Sequence, residues 1–208
     1  MKKLVIFDLD GTLSNNINQS RIIYERLSER YKLKKLSIEE IRELKTNPSI
    51  KRLVRLGIPI HKIPSMYKES RVIASEFVDD CRIVSGLSEL IINLSNHHVK
   101  LAIVSSNSVS NINKILANNG INVFTFIEGK AKMKGKRRKL QKLIRQSGCE
   151  LADAIYIGDE VRDVSACKSI ALEVIAVTWG FETKTTLENA GPNYIVDTAD
   201  ELSKLLFT

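Results

Sequence analysis

The feature that most constrains this chain is a recurrence of short apolar runs rich in β-formers, most of them separated by segments of helical period. The runs are Lys3 to Asp8, Val99 to Ser105, Val123 to Ile127, Ala154 to Gly158, Glu173 to Thr178 and Tyr194 to Val196. Near-continuous apolar runs of this length fit strands buried on both faces of a parallel sheet. Between them, helical patterns over Ser108 to Asn119, Lys136 to Ser147 and Lys184 to Ala190 each stop at a glycine (Gly120, Gly148 and Gly191), the residue that most readily takes the left-handed conformation ending a helix. Strands alternating with helices predict an α/β fold, with a mainly parallel sheet and helices on both faces.

One stretch breaks the alternation. From Asn15 to about Arg82 there is no convincing strand. Ile23, Leu27 and Tyr31 recur every four residues, Ser37 and Glu40 form a capping box ahead of Ile41 and Leu44, Gly57 and Pro59 interrupt, and Ile73, Ala74 and Phe77 restart a helical face. The expected organisation is therefore a discontinuous α/β core, residues 1–15 and 83–208, carrying an all-helical insertion over residues 16–82 just after the first strand.

Composition excludes several classes. With 43% hydrophobic and 27% charged residues and only 10 Gly and 4 Pro among 208, the chain can bury a core and is neither disordered nor collagen-like. The apolar run at the N-terminus is cut short by Asp8 and Asp10, below the core of a secretory leader, and no stretch approaches a membrane span of about 20 residues. Cys81, Cys149 and Cys167 are odd in number and widely separated, which argues against a disulfide framework or zinc knuckle. A reducing cytoplasm and no membrane partner are the expectation. The net charge of +8 is local: residues 130–145 hold nine of the 32 Lys and Arg and no acid, and the remaining cations nearly balance the 24 acids. No aromatic side chain lies in that run to stack on bases, so a solvated helix face is preferred there to nucleic-acid or polyanion binding, which stays the weaker alternative.

In open parallel sheets, ligands sit beyond the carboxyl ends of the strands. Polar residues collect at those ends. Asp8 and Asp10 close the first strand, Ser105 and Asn107 the second, and Asp159 and Asp163 follow AIYIG. Singly, each has a plain explanation, since two acids can form a solvated turn and Ser105 or Asp159 can cap the helix that follows. Together they form a pattern that core packing does not require. His61, His97 and His98 have no visible metal-ligand or triad partner and read as surface or cap residues, while Trp179 and Phe181 in VTWGF read as packing.

The segment Phe7 to Thr12, FDLDGT, resembles the first motif of the haloacid dehalogenase-like hydrolases, whose phosphatase branch carries Asp-x-Asp-Gly-Thr after its first strand. The resemblance continues in order along essentially the whole chain. Ser105 in LAIVSSNS matches the second motif, the lysine cluster supplies the third, and IGDEVRD, with Asp159 and Asp163, matches the fourth. The insertion stands where members similar to phosphoglycolate phosphatase carry a helical cap. The resemblance implies a Rossmann-like core and a Mg²⁺-dependent phosphatase acting on a small phosphorylated metabolite. It also implies a nucleophile, Asp8, that forms an aspartyl-phosphate, and Asp10 as general acid and base. Asp8, Asp159, Asp163 and the backbone carbonyl of Asp10 would hold the metal. Ser105, a lysine and backbone N–H groups near Leu9 and Ser106 would bind the phosphoryl oxygens. Hard oxygen ligands suit Mg²⁺, and a dianionic ester approaching a carboxylate needs a cation between them.

Because the resemblance implies that the dehalogenase and phosphonatase branches lack a second acid, Asp10 favours phosphate-ester chemistry, with a phosphomutase as the nearest alternative. The resemblance also implies that specificity comes largely from the cap, in which Arg21, Tyr24 and Arg52 lie, and the sequence does not say which substrate they would meet. The chain lacks the family's frequent Lys-Pro and offers Lys130, Lys132, Lys134 and Lys136 as the motif lysine. The resemblance implies a lysine four or, in the Lys-Pro form, six residues before the first core leucine, which leaves Lys136 and Lys134 both open ahead of Leu140. Gly135 favours Lys136, because a Gly-Lys step lets the backbone turn sharply into a helix whose Leu140, Leu143 and Ile144 face the core, with Lys139 and Lys142 toward solvent.

Overall fold

The computed structural model describes residues 1–41, 57–131 and 135–208. Leu44, Arg52, Lys132 and Lys134 fall outside the described residues. Six parallel strands, β1 (Leu4–Phe7), β2 (Lys100–Val104), β3 (Phe126–Glu128), β4 (Ala154–Gly158), β5 (Glu173–Val177) and β6 (Tyr194–Val196), form one sheet in the order β3-β2-β1-β4-β5-β6. The chain builds outward from β1 through β2 to β3, then returns to lay β4 against the free edge of β1. That reversal is the topological switch point, and open parallel sheets generally bind ligands beyond the carboxyl ends of the strands at such a point, here those of β1 and β4. Phe7 is paired with both Ile103 and Ile157, so the ends of the three central strands are nearly level.

All four residues of β1 are buried, which only a strand covered on both faces permits. On one face, Leu4, Ile6, Ala102, Val104, Tyr156 and Val174 pack with Leu140 and Leu143 from one helix and Val164 and Cys167 from another. The helices of this part are α3 (Leu87–Asn96), α4 (Val109–Asn118), α5 (Lys136–Ser147), α6 (Val161–Lys168), α7 (Lys184–Ala190) and α8 (Ala199–Phe207), the last two residue pairs just named lying on α5 and α6. Cys81, Cys149 and Cys167 are free thiols, Cys81 and Cys167 buried.

The chain divides into two compact units, Met1–Asn15 with Cys81–Thr208, and Asn16–Asp80. Among its described residues the second unit has helices α1 (Ile17–Tyr31) and α2 (Ile63–Glu76) and no strand. Leu27, Ile58, Met66 and Ile73 form its apolar centre, with Ile23, Tyr31 and Phe77 packed against it. Ion pairs of Arg26 with Glu76 and Arg30 with Glu69 link α1 to α2. The capping box is present: the Glu40 N–H donates to Ser37 Oγ and the Ser37 N–H donates to Glu40 Oε2. Among the described residues no helix is long and apolar enough to cross a membrane.

Two elements differ from expectation. The edge strand is Phe126–Glu128 rather than Val123 to Ile127, because ladder pairing with β2 begins at Ala102 and Phe126. Phe124, which made the run look longer, serves packing instead, its ring edge-on to Phe7 with centroids 6.1 Å apart. The C-terminal helix α8 was not expected, although Thr198 and Glu201 ahead of Leu202 carry a capping signature; Thr198 Oγ1 accepts the Glu201 N–H.

Candidate active site

The switch point gathers most of the polar residues marked out in the sequence. Asp8 follows β1, Ser105 follows β2 and Asp159 follows β4, all three buried. Asp163, on the first turn of α6, is also buried, four residues and about one helical turn beyond Asp159. One carboxylate oxygen from each of Asp8, Asp159 and Asp163 lies within 4.8 Å of the others. Asp10 is half-buried, its backbone bridged to Ser14, and its side chain is outside that trio. Ser106 is exposed.

Lys136 is the first residue of α5, yet it is only 5% exposed. A cation at a helix N-terminus opposes the helix dipole, so another interaction must hold it there. Its Nζ donates to Asp8 Oδ2 at 2.8 Å, to Asp163 Oδ1 at 2.6 Å and to the Tyr156 hydroxyl at 2.7 Å. Three protons meet three acceptors. Burial alone would lower the ammonium pKa, but the charges of Asp163 and Asp8 hold it above that of ordinary lysine. Leu140, Leu143 and Ile144 face the core as expected. The reason differs, however: Gly135 has φ −100°, open to any residue, so the helix start does not require glycine. Lys139 and Lys142 both pair with Glu128 at the end of β3, rather than simply facing solvent.

Asp159 is held by the loops around it. Its Oδ1 accepts from Thr12 Oγ1 at 2.9 Å and its Oδ2 from the Phe181 N–H at 2.8 Å. Both oxygens are thus engaged away from the following helix, and Asp159 is no cap; Glu160 holds that position. Burial, with Asp163 and Asp8 nearby, pushes the Asp159 carboxyl up to about 7. Asp163 is raised by burial, against the pull of Lys136. Burial, with the same acids, lifts the Tyr156 phenol well above its ordinary range and keeps it neutral. Ser105 is no cap either, because Ser108 takes the Asn111 N–H at the start of α4; Ser105 Oγ accepts from the Asn107 N–H.

Sequence reasoning missed three contributors. Thr12 was quoted within the first motif but given no role. Tyr156 stood as the one residue with a polar tip in AIYIG, a signal present in the sequence. The Phe181 N–H belongs to the backbone and leaves no trace in residue type. His61, His97 and His98 are exposed, as read.

The carboxylate trio fits a hard divalent cation. All the donors are oxygen, and Asp163 Oδ2 is buried without a hydrogen-bond partner among the described residues. Strand order, motif order and this cluster together define the class. A sequence profile of haloacid dehalogenase-like hydrolases matches residues 5–177, and the chain belongs to that family. Within it the chain stands with the phosphatases. It is 28% identical over 205 residues to a phosphoglycolate phosphatase of Synechococcus elongatus, covering 95% of this chain and 94% of that one. It is also 28% identical over 191 residues to a phosphoserine phosphatase of Methanocaldococcus jannaschii, covering 83% and 84%. Among solved structures, a haloacid dehalogenase-like hydrolase from Streptococcus pneumoniae superposes with a TM-score of 0.86 at 20% identity, covering 99% of this chain and 98% of that one.

Proposed function

We propose that the protein is a Mg²⁺-dependent phosphomonoesterase that hydrolyses a small phosphorylated metabolite through an aspartyl-phosphate on Asp8. The observation that carries this reading is the buried meeting of Asp8, Lys136 and Asp163 at the switch point, beside Asp159. Asp8, Asp159 and Asp163, with the Asp10 carbonyl, would hold the ion, whose charge offsets repulsion between a phosphate dianion and a carboxylate.

Asp8 attacks phosphorus, forming a carboxylate oxygen–phosphorus bond as the bond to the leaving alkoxide breaks. Its Oδ1 accepts the Leu9 N–H and its Oδ2 the Lys136 ammonium, which fixes the carboxylate's orientation. Asp10 gives its proton to the alkoxide. In the second half it takes a proton from water attacking the phosphorus, and free phosphate leaves with Asp8 restored. Lys136 and the Ser105 hydroxyl, whose oxygen already accepts the Asn107 N–H and so retains its proton to donate, stabilise charge on the transferring oxygens. The unit Asn16–Asp80 is assigned as the cap that selects substrate. The free thiols accord with a cytoplasmic setting.

Three of the nine cations of the basic segment are engaged within the chain, Lys136 at the site and Lys139 and Lys142 by Glu128, which favours the phosphatase reading over the polyanion-binding alternative.

The test is a panel of phosphomonoesters with Mg²⁺, opened with phosphoglycolate and phosphoserine after the two relatives, with Asp8→Asn alongside. Free phosphate from wild type and none from the variant is expected. An isomerised phosphosugar without free phosphate would turn the reading to a mutase, and equal inactivity on every compound would remove it.

A further inference from the structure

The loop after β5, Thr178 to Phe181, carries none of the four motifs, yet two of its residues reach Asp159 directly and a third is tied to Thr12, which also holds Asp159. The Phe181 N–H donates to Asp159 Oδ2. Trp179 Nε1 donates to the backbone carbonyl of Thr12 at 2.9 Å, and the Thr12 hydroxyl in turn donates to Asp159 Oδ1. Gly180 lies so close that an added Cβ would stand 2.3 Å from both Asp159 Cβ and Oδ2. From the other side, a Cβ on Gly11 would lie 2.2 Å from Asp159 Oδ2, and φ +85° there disfavours a side chain in any case. The carboxylate is wedged between two bare Cα atoms and pinned at both oxygens.

We infer that the loop Trp179-Gly180-Phe181, joined to Thr12, is a positioning element that sets the Asp159 carboxylate in the one orientation from which it completes the cation site with Asp8 and Asp163. None of these groups touches substrate; they act through Asp159. A carboxylate free to turn in a buried site would lose the geometry a small cation demands, whereas hydrogen bonds to each oxygen leave it one pose. Gly180 is glycine because the carboxylate occupies the space of its side chain, and Trp179 carries an indole N–H because the clamp needs a tie between its two loops. The inference rests on the proposed metal reading.

The test is calorimetric titration of the full-length protein with Mg²⁺ alone, with thermal unfolding of the metal-free protein recorded beside it. Gly180→Ala and Thr12→Val are expected to weaken Mg²⁺ binding about 10- to 100-fold, the range for partners that orient a metal ligand. Thr12→Ser, which keeps the hydroxyl, is expected to bind as wild type does. Trp179→Phe should weaken binding to a lesser degree. Should Gly180→Ala fail to fold, the Thr12 pair decides the matter. Wild-type affinity in both Gly180→Ala and Thr12→Val would overturn the inference while leaving the metal reading in place. A wild-type protein that binds no Mg²⁺ would remove both.

Discussion

At the scale of single residues, Lys136 concentrates the physics of the site. A lysine that is 5% exposed at a helix N-terminus is unfavourable twice, through desolvation and through the helix dipole, and it persists because Asp8, Asp163 and Tyr156 take its three protons. Removing one partner of such a group leaves buried charge uncompensated, typically at a cost of about 3–5 kcal/mol. Lys136→Met should therefore lower the unfolding temperature of the metal-free protein and reduce turnover by orders of magnitude. Part of the thermal deficit should return on adding Mg²⁺, because a cation among the same carboxylates restores positive charge. Thermal scans of both proteins with and without Mg²⁺ check this. A variant as stable and as active as wild type would contradict the role given to the ammonium.

At the scale of elements, the short edge strand β3 is tied to α5 by Glu128, which accepts from Lys139 at 2.9 Å and from Lys142 at 2.6 Å. Burial alone would raise the Glu128 pKa, but the two ammonium donors hold it below the ordinary glutamate value. A depressed carboxylate contributes stability above its unfolded pKa, and loses it as pH falls through the lower folded value. The tie should accordingly fail only in acid, below the ordinary glutamate pKa of about 4.3. Glu128→Gln should cost little, about 1 kcal/mol or less at neutral pH as for exposed pairs, and should flatten the acid limb of stability. Chemical unfolding at pH 7 and pH 3.5 measures both; an unchanged acid limb would refute the tie. The same region shows what a sequence can reveal. Buried strands and glycine-ended helices declare themselves by pattern: β4, α5 and α7 match their expected spans residue for residue. β3 does not, because a half-buried edge strand and an aromatic packing beside it share one composition. The motif acids were legible as a group because each lies at or near the end of an apolar strand, where the sheet brings Asp8, Asp159 and Asp163 together. Thr12 and the Phe181 N–H were not, since their roles arise only when loops distant in sequence meet at Asp159, and the Tyr156 hydroxyl, though visible as a polar tip in an apolar strand, gave no sign of its partner Lys136.

At the scale of the whole molecule, a long insertion coexists with an intact sheet because the chain leaves and re-enters at one place. Ser14 pairs antiparallel with Ile83, and the Val84 N–H donates to the Leu13 carbonyl, so the core closes across the insertion as a hairpin would. The three carboxylates of the cluster all lie in the unit formed by Met1–Asn15 and Cys81–Thr208. In that unit β1 and β4 present Asp8 and Asp159, and α6 presents Asp163, so an ion bound there links both sides of the switch point and is available only to the folded sheet. Anything that binds the native state alone stabilises it by mass action, about 2.7 kcal/mol at a hundredfold excess over Kd. For a chain of this size one kcal/mol moves the midpoint by about 2–4 °C, so saturating Mg²⁺ should raise the transition of this unit by about 5–11 °C. Asp163→Ala should lose most of that rise, because it removes one of the trio while leaving Asp8 and Asp159 in place. Differential scanning calorimetry with Mg²⁺ and with a chelator measures the shift directly. An equal rise in wild type and Asp163→Ala would mean that the ion binds elsewhere, and the carboxylate trio would then be no cation site.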